Sequence, residues 1–132
     1  MSNPRFENVL LVDDNEINNV MHERLLEISG FAKNIVVKPS AVDGLEYLRT
    51  EVPDEASAPD VIFLDIRMPI VDGFGLLAEF NTLPEYVQKK AKVVMLSSSL
   101  DEQDNEKAKT FPQVVAFLVK PLSLDKLNSL PL

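Results

Sequence analysis

Short apolar runs alternate with helical patterns along the chain. The first run, residues 8–12, stops abruptly at Asp13-Asp14. A short run without polar alternation is typical of a strand that is buried on both faces of a parallel sheet. Four later runs have the same character, at residues 35–37, 61–64, 93–96 and 114–119. The pattern therefore predicts five buried strands.

The segment between the first two strands predicts a helix over about residues 15–29. Gly30 follows it as a natural terminator. Apolar residues recur within it at helical spacing, at Ile17, Val20, Met21, Leu25 and Ile28. We expect the stripe through Met21 and Leu25 to face the core. His22, beside acids and Arg24, is expected to face solvent.

The remaining connections are also mostly helical. Ser40 opens a Ser-x-x-Asp pattern, a weak form of the capping box, before a helix that carries Val42, Leu45 and Leu48. Residues 51–59 contain prolines, small residues and acids and predict a loop. Further helices are predicted over about residues 74–83, with a short turn after Pro84, and over 101–109 and 123–130.

This alternation predicts a three-layer α/β fold. Parallel strands joined by helices form a sheet that is covered on both faces, with right-handed crossovers. The chain has 132 residues, which suits one domain. We expect a single domain over residues 1–132, with a core of about 7–128.

Composition narrows the classes of function. The absence of cysteine excludes disulfides, thiolate catalysis and Cys-based metal sites, and it is compatible with the cytoplasmic location that we expect. A formal charge of −8 argues against direct nucleic-acid binding, because that requires clustered positive charge. No apolar run approaches the ~18 residues of a membrane span, and the N-terminus lacks a signal-peptide pattern.

The predicted strand ends carry the candidate chemistry. Asp13-Asp14, Asp65, Ser97 and Lys120 each follow or end a strand. Ligands of open α/β sheets bind at the carboxyl ends of the strands, so these side chains are expected to meet in one crevice. Carboxylates that crowd together repel each other, and a hard cation such as Mg²⁺ relieves that repulsion.

Each residue type suits phosphoryl transfer. Asp14 and Asp65 are predicted as direct Mg²⁺ ligands, and Asp13 as a ligand directly or through water. A carboxylate can attack phosphorus and form an aspartyl phosphate. Such a transfer depends on positioning and charge neutralisation, which Mg²⁺ and Lys120 can supply. Ser97 can donate a hydrogen bond to a phosphoryl oxygen.

Four segments together resemble the response-regulator receiver domains, which have the CheY-like fold. The segments are residues 11–15, 63–73, 94–98 and 117–121, reading LVDDN, FLDIRMPIVDG, VMLSS and FLVKP. Each lies at a predicted strand end, and the resemblance covers about residues 7–128. It implies a doubly wound, flavodoxin-like sheet of five parallel strands in the order 2-1-3-4-5.

The resemblance also implies a role for each matching residue in the phosphorylation site. Asp65 would be the phosphoacceptor. Asp13, Asp14 and Asp65 would form the metal pocket for Mg²⁺, or Mn²⁺, with the backbone carbonyl of Arg67 as a further ligand. Lys120 would contact the phosphate.

The residues of the conformational switch follow from the same resemblance. Ser97 would be the switch hydroxyl and Phe117 the switch aromatic, which turns inward when Ser97 moves toward the phosphate. The peptide bond before Pro121 would be cis.

The implied partners are those of a two-component phosphorelay. A histidine kinase or a histidine phosphotransfer protein would supply the phosphoryl group, and an unknown output protein would bind the phosphorylated form. The chain would be a monomer or a phosphorylation-dependent dimer, with no membrane or nucleic-acid partner. It would catalyse only its own phosphorylation and dephosphorylation.

Some residues depart from the usual pattern of the family. Arg67 and Ser99 occupy positions that tune how fast the phosphate is lost, Ser98 replaces a frequent alanine, and Phe117 has no hydroxyl group. An aspartate-nucleophile phosphatase and a degenerate receiver that acts without phosphorylation stay open as alternatives. A flavodoxin-like cofactor binder fits poorly, because the acidic first loop would repel a phosphate.

Overall fold

The computed structural model describes residues 4–132, and five parallel strands form its sheet. The strands are β1 (Phe6–Val12), β2 (Ala32–Lys38), β3 (Val61–Asp65), β4 (Lys92–Ser97) and β5 (Val114–Val119). They lie in the order β2-β1-β3-β4-β5. The predicted strands and the predicted order 2-1-3-4-5 are confirmed.

Helices cover both faces of the sheet. They are α1 (Glu16–Ile28), α2 (Ala41–Thr50), α3 (Gly73–Ala78), α4 (Glu85–Lys90), α5 (Glu102–Ala108) and α6 (Leu124–Asn128). Helices α1 and α6 pack on one face, and the other four pack on the opposite face. The fold is therefore the predicted three-layer α/β sandwich. Within residues 4–132, no helix is long and apolar enough to cross a membrane.

The helix predicted over residues 74–83 is wrong in its extent. Helix α3 ends at Ala78, a 3₁₀ turn follows at Phe80–Thr82, and α4 begins only after Pro84. Proline disfavours a helical conformation in the residue before it, and Leu83 has an extended backbone (φ −77°, ψ 161°). The interruption buries the side chains of both Phe80 and Leu83 in the core.

The orientation predicted for α1 is wrong for Met21 and His22, whereas Leu25 packs against the core as predicted. The buried positions of the helix are Asn19, His22 and Leu26, whereas Met21 is exposed and Leu25 only half-buried. Solvent reaches most of the remaining apolar stripe, at Ile17, Val20 and Ile28. Asn19 and His22 are tolerated inside because backbone groups of neighbouring loops bond them, which offsets the cost of burying polar groups.

Ile70, in the loop between β3 and α3, has a strained backbone. Its φ of 71° lies in the left-handed region, which a β-branched side chain rarely adopts. The side chain is 98% exposed, so burial contributes nothing to offset the strain. Local structure therefore gives no reason for isoleucine at this position.

We predict that Ile70→Asn stabilises the protein by about 1 kcal/mol. Asparagine tolerates the left-handed region, and the substitution loses no buried surface. Chemical denaturation of both proteins measures the difference in the free energy of unfolding. The matched control is Ile28→Asn, which replaces an exposed isoleucine of α1 and should give no gain. Equal or lower stability of Ile70→Asn would show that the loop carries no strain.

Candidate phosphorylation site

Three carboxylates converge at the carboxyl edge of the sheet. Asp13 and Asp14 follow β1, and Asp65 ends β3, the strand beside it. One carboxylate oxygen from each residue lies within 4.8 Å of those of the other two. Asp13 and Asp65 are almost inaccessible to solvent (0% and 3% exposed), whereas Asp14 is exposed. We call these three residues the acid cluster.

Lys120 brings a positive charge into the acid cluster from the end of β5. Its Nζ lies 3.0 Å from Asp13 Oδ2 and 3.1 Å from Asp65 Oδ1. Its backbone N–H donates to the Ser97 carbonyl at 2.7 Å, and the peptide bond to Pro121 is cis. Strands β1, β3 and β5 thus each contribute a charged group to one point.

The electrostatics of the cluster raise two pKa values. Burial raises the pKa of Asp65 to about 6, and the neighbouring charge of Asp13 adds to the increase, while Lys120 opposes it. Burial alone would lower the pKa of Lys120. Its hydrogen bonds and charge interactions with Asp13 and Asp65 outweigh burial, so that pKa lies above its ordinary value.

The backbone after β1 fixes Asp13. The Asn15 N–H donates to Asp13 Oδ1 at 2.9 Å, and the Asn19 side-chain amide donates to the Asp13 carbonyl at 2.8 Å. Asn15 also caps α1 by accepting from the Asn18 N–H. The side chain and the main chain of Asp13 are therefore both bound to the first turn of α1.

A glycine allows the segment after β3 to fold back close to Asp65. A Cβ atom at Gly73 would lie 2.5 Å from the Asp65 carbonyl oxygen, closer than real Cβ atoms come. The Gly73 N–H donates to the Ile66 carbonyl at 2.9 Å, and Asp72 caps α3 by accepting from the Gly75 N–H. The Asp-Gly pair thus packs the start of α3 against the end of β3.

Ser97 is 4% exposed, and its hydroxyl group forms hydrogen bonds within its own loop. It donates to the Ser99 carbonyl at 2.5 Å and accepts from the Ser99 N–H at 3.2 Å. Phe117, on β5, is half-buried and packs against the core beneath α5. It lines a small cavity of about 130 Å³ with Ala108 and Asn105 of α5.

Arg67 crosses the mouth of the site. Its guanidinium lies 2.6 Å from a carboxylate oxygen of Asp104 on α5, a partner that the sequence analysis did not identify. The Arg67 side chain is exposed, whereas the Asp104 side chain is mostly buried. Two segments far apart in sequence form this pair, and no local pattern signals it. The ion pair links the loop after β3 to α5.

A cleft of about 440 Å³ opens beside the acid cluster. It is lined by Asp14, Asn15, Asn18, Met21, Asp65, Arg67, Ser98, Lys120 and Pro121. The asparagines and Met21 were not predicted as site residues; they enter the lining because the start of α1 forms one wall. A larger hollow of about 730 Å³ lies between α2 and α3 and includes no residue of the acid cluster.

Comparison with known proteins identifies the family. A sequence profile described as the response regulator receiver domain matches residues 9–130. The chain belongs to this family. Receiver domains are signalling modules of two-component systems, in which phosphorylation on aspartate is the general role. They bind Mg²⁺ at an acidic pocket and interact with histidine kinases or phosphotransfer proteins.

Two curated relatives and one solved structure illustrate the similarity. The probable methanogenesis regulatory protein FilR2 of Methanothrix harundinacea is 31% identical over 120 residues, 91% of this chain and 76% of that protein. The transcriptional regulatory protein PrrA of Mycobacterium leprae is 32% identical over 127 residues, and this chain spans 48% of its length. A two component response regulator from Cytophaga hutchinsonii superposes with a TM-score of 0.84 at 30% identity, covering 92% of this chain and 91% of that one.

The raised pKa of Asp65 predicts a stability effect with a definite sign. The folded protein holds this proton up to about pH 6, whereas the unfolded chain loses it near 3.8. Stability without metal therefore falls as the pH rises between these values. Asp65→Asn removes this loss, and we expect it to be about 2 kcal/mol more stable than the wild type at pH ~8.

Denaturant unfolding with a chelator, between pH ~4 and pH ~8, measures this difference. The stability advantage of Asp65→Asn should become smaller toward pH ~4, where the Asp65 carboxyl of the wild type is protonated. Glu46→Gln, which neutralises an exposed acid of α2, is the control and should follow the wild-type profile. A constant difference between Asp65→Asn and wild type at every pH would refute the electrostatic explanation.

Proposed function

We propose that Asp65 accepts a phosphoryl group from the phosphohistidine of a histidine kinase or a histidine phosphotransfer protein. The observation that carries this proposal is the buried carboxylate of Asp65, 3.1 Å from the Lys120 ammonium and within the acid cluster. A carboxylate in this setting combines a nucleophilic oxygen with fixed positive charge. The domain would signal by binding an output partner differently once Asp65 is phosphorylated.

The residues of the acid cluster fit Mg²⁺, with Mn²⁺ as a substitute. Carboxylate oxygens from Asp13, Asp14 and Asp65 would hold the ion, and the Arg67 backbone carbonyl would complete the protein ligands. Hard oxygen donors at short mutual distance suit a small divalent cation. When bound, the ion neutralises the phosphoryl oxygens during transfer.

Asp65 and Lys120 would then carry out the transfer of the phosphoryl group. A carboxylate oxygen of Asp65 forms the O–P bond while the P–N bond of the phosphohistidine breaks, and the donor imidazole keeps the electron pair. Asp65 must be ionised to attack, and its pKa of about 6 leaves it ionised at neutral pH. Lys120 would shift from the Asp65 carboxylate to the new phosphoryl oxygens. Hydrolysis of the acyl phosphate resets the domain.

Ser97 and Phe117 are proposed as the switch. A phosphoryl group on Asp65 offers Ser97 Oγ a charged acceptor in place of the Ser99 carbonyl that it now bonds. That exchange would release the loop between β4 and α5. Phe117 lacks a hydroxyl group, so its inward position would depend on packing against α5, where the small cavity already lies.

The α1 ridge is the proposed contact for the phosphodonor. We give this name to Ile17, Val20 and Met21, which are 71%, 63% and 47% exposed. Met21 also lines the cleft beside Asp65. Exposed apolar residues at the rim of a reactive site are typical of a protein-binding surface. The ridge would place a protein donor directly over the acid cluster.

Phosphorylation from a small donor tests the proposal. We expect the purified chain with Mg²⁺ and acetyl phosphate to gain one phosphoryl group, seen by intact mass, and to lose it slowly after donor removal. Asp65→Asn should gain none. The control is Asp60→Asn. Asp60 accepts hydrogen bonds from the Glu7 and Asn8 N–H groups at the other end of the sheet, so this variant should be phosphorylated like the wild type.

Two results would contradict the proposal. Unmodified wild-type protein under these conditions would indicate a degenerate receiver. Steady turnover of a phosphate ester without retained phosphate would support the phosphatase alternative. Peptide mapping of the phosphorylated protein must place the group on Asp65.

A matched pair of variants tests the α1 ridge. We expect Val20→Glu to slow transfer from a phosphorylated histidine phosphotransfer domain by about tenfold, because a charge replaces an apolar contact. Its rate with acetyl phosphate should stay unchanged. Ile28→Glu adds the same charge to α1 about two turns further from the cleft and should affect neither rate. Equal loss in both variants, or loss with the small donor, would exclude the ridge as the docking surface.

A further inference from the structure

His22, the single histidine of the chain, is 1% exposed and was wrongly expected to face solvent. Its Nε2 accepts a hydrogen bond from the Leu122 N–H at 3.2 Å. The bond joins α1 to the loop between β5 and α6, across 100 residues of sequence. It therefore connects α1 to the loop that carries Lys120.

The hydrogen bond fixes the state of the ring. A neutral imidazole that accepts at Nε2 carries its proton on Nδ1. Burial lowers the pKa of His22, and Lys120 adds to this, while Asp13 opposes it. Within the described residues, Nδ1 has no hydrogen-bond partner. The His22 ring is thus a neutral hydrogen-bond acceptor. Within residues 4–132, its one hydrogen-bond partner is the Leu122 amide.

The position of Leu122 makes this contact important for the site. Leu122 lies two residues after Lys120, and Pro121 between them has no N–H to donate. The Lys120 N–H is bound to Ser97, and the carbonyls of Val119 and Pro121 accept from Lys126. Among the described hydrogen bonds, the one from the Leu122 N–H to His22 anchors this loop to α1.

Asn19 provides the second half of the arrangement. It lies one turn before His22 on the same buried face of α1, and its side-chain amide donates to the Asp13 carbonyl. Helix α1 therefore holds the backbones that carry both partners of the Asp13–Lys120 ion pair. An apolar residue in place of His22 would still be buried but would leave the buried Leu122 N–H without an acceptor.

We propose that His22 is a positioning residue that holds Lys120 in register with the acid cluster through the Leu122 amide. The inference rests on the proposed phosphorylation of Asp65. His22 would take no part in the reaction itself. It would hold the Lys120 ammonium group where the phosphoryl oxygens will lie. Displacement of a catalytic group by a fraction of its contact distance is enough to slow a reaction.

Two substitutions separate positioning from packing. His22→Leu removes the acceptor, and His22→Gln retains one, because the Gln side chain can place an oxygen near the Nε2 position. With saturating Mg²⁺ and acetyl phosphate, we expect His22→Leu to be phosphorylated roughly tenfold more slowly, and His22→Gln within about threefold of wild type. Both variants should still bind Mg²⁺, since the acid cluster lies on β1 and β3, and saturating Mg²⁺ keeps the rate comparison independent of a change in affinity.

The control for stability is Leu48→Ala, a cavity variant of α2 on the opposite face of the sheet. It should unfold more easily yet keep the wild-type phosphorylation rate. Equal rates for wild type and His22→Leu, or no rescue by Gln, would overturn the inference while leaving the phosphorylation of Asp65 intact. Absence of phosphorylation in the wild type would instead refute the proposed function.

NMR of the unmodified protein tests the same inference and does not require that any variant fold. The chain has one histidine, so long-range ¹H–¹⁵N correlation spectra assign its ring without ambiguity. We expect the Nδ1–H tautomer and a Leu122 amide that is protected from hydrogen exchange. The Nε2–H tautomer, or a charged ring at neutral pH, would overturn the inference.

Discussion

The ammonium group of Lys120 lies between two carboxylates that are almost fully removed from water, and the chemistry of the site depends on that balance of charge. Ionised, the acid cluster carries three negative charges against one positive charge, a net charge of −2. Burial magnifies the imbalance, which is why the pKa of Asp65 is raised. A divalent cation has the size and charge to correct it. In the proposed function, the ion that corrects this imbalance lies beside the carboxylate that accepts the phosphoryl group.

Contacts between neighbouring loops and helices hold the groups around this ion pair. Gly73 allows the main chain to fold back onto Asp65, and the first turns of α1 hold the Asp13 backbone through Asn19. Arg67 and Asp104 join the loop after β3 to α5 on the exposed side. Each loop at the carboxyl edge is thus bound to a neighbour, so a change of charge at Asp65 has physical routes to α5 and to α6.

The sequence predicted the strands and the residues that end them, because buried parallel strands have continuous apolar runs and functional groups gather where the runs stop. It did not predict which side of α1 is buried. Helical spacing identified the apolar stripe of Ile17, Val20 and Met21, but periodicity cannot distinguish a buried apolar stripe from an exposed one. The burial of His22 and the pairing of Arg67 with Asp104 depend on contacts between distant loops, which leave no local pattern. Pro84 signalled that the helical segment stops by Leu83, but no pattern signalled that α3 ends at Ala78 or that Phe80 is buried.

We propose that the acid cluster forms one site for a divalent ion beside Lys120, and paramagnetic Mn²⁺ tests this proposal most directly. Substoichiometric Mn²⁺ broadens the NMR signals of nuclei close to it. We expect the amide signals of Asp13, Asp14 and Asp65 to disappear first, and those of Ser97 and Lys120 soon after. Excess Mg²⁺ should restore them all. Early broadening at the acids of α5 instead, or uniform broadening over the surface, would contradict the account.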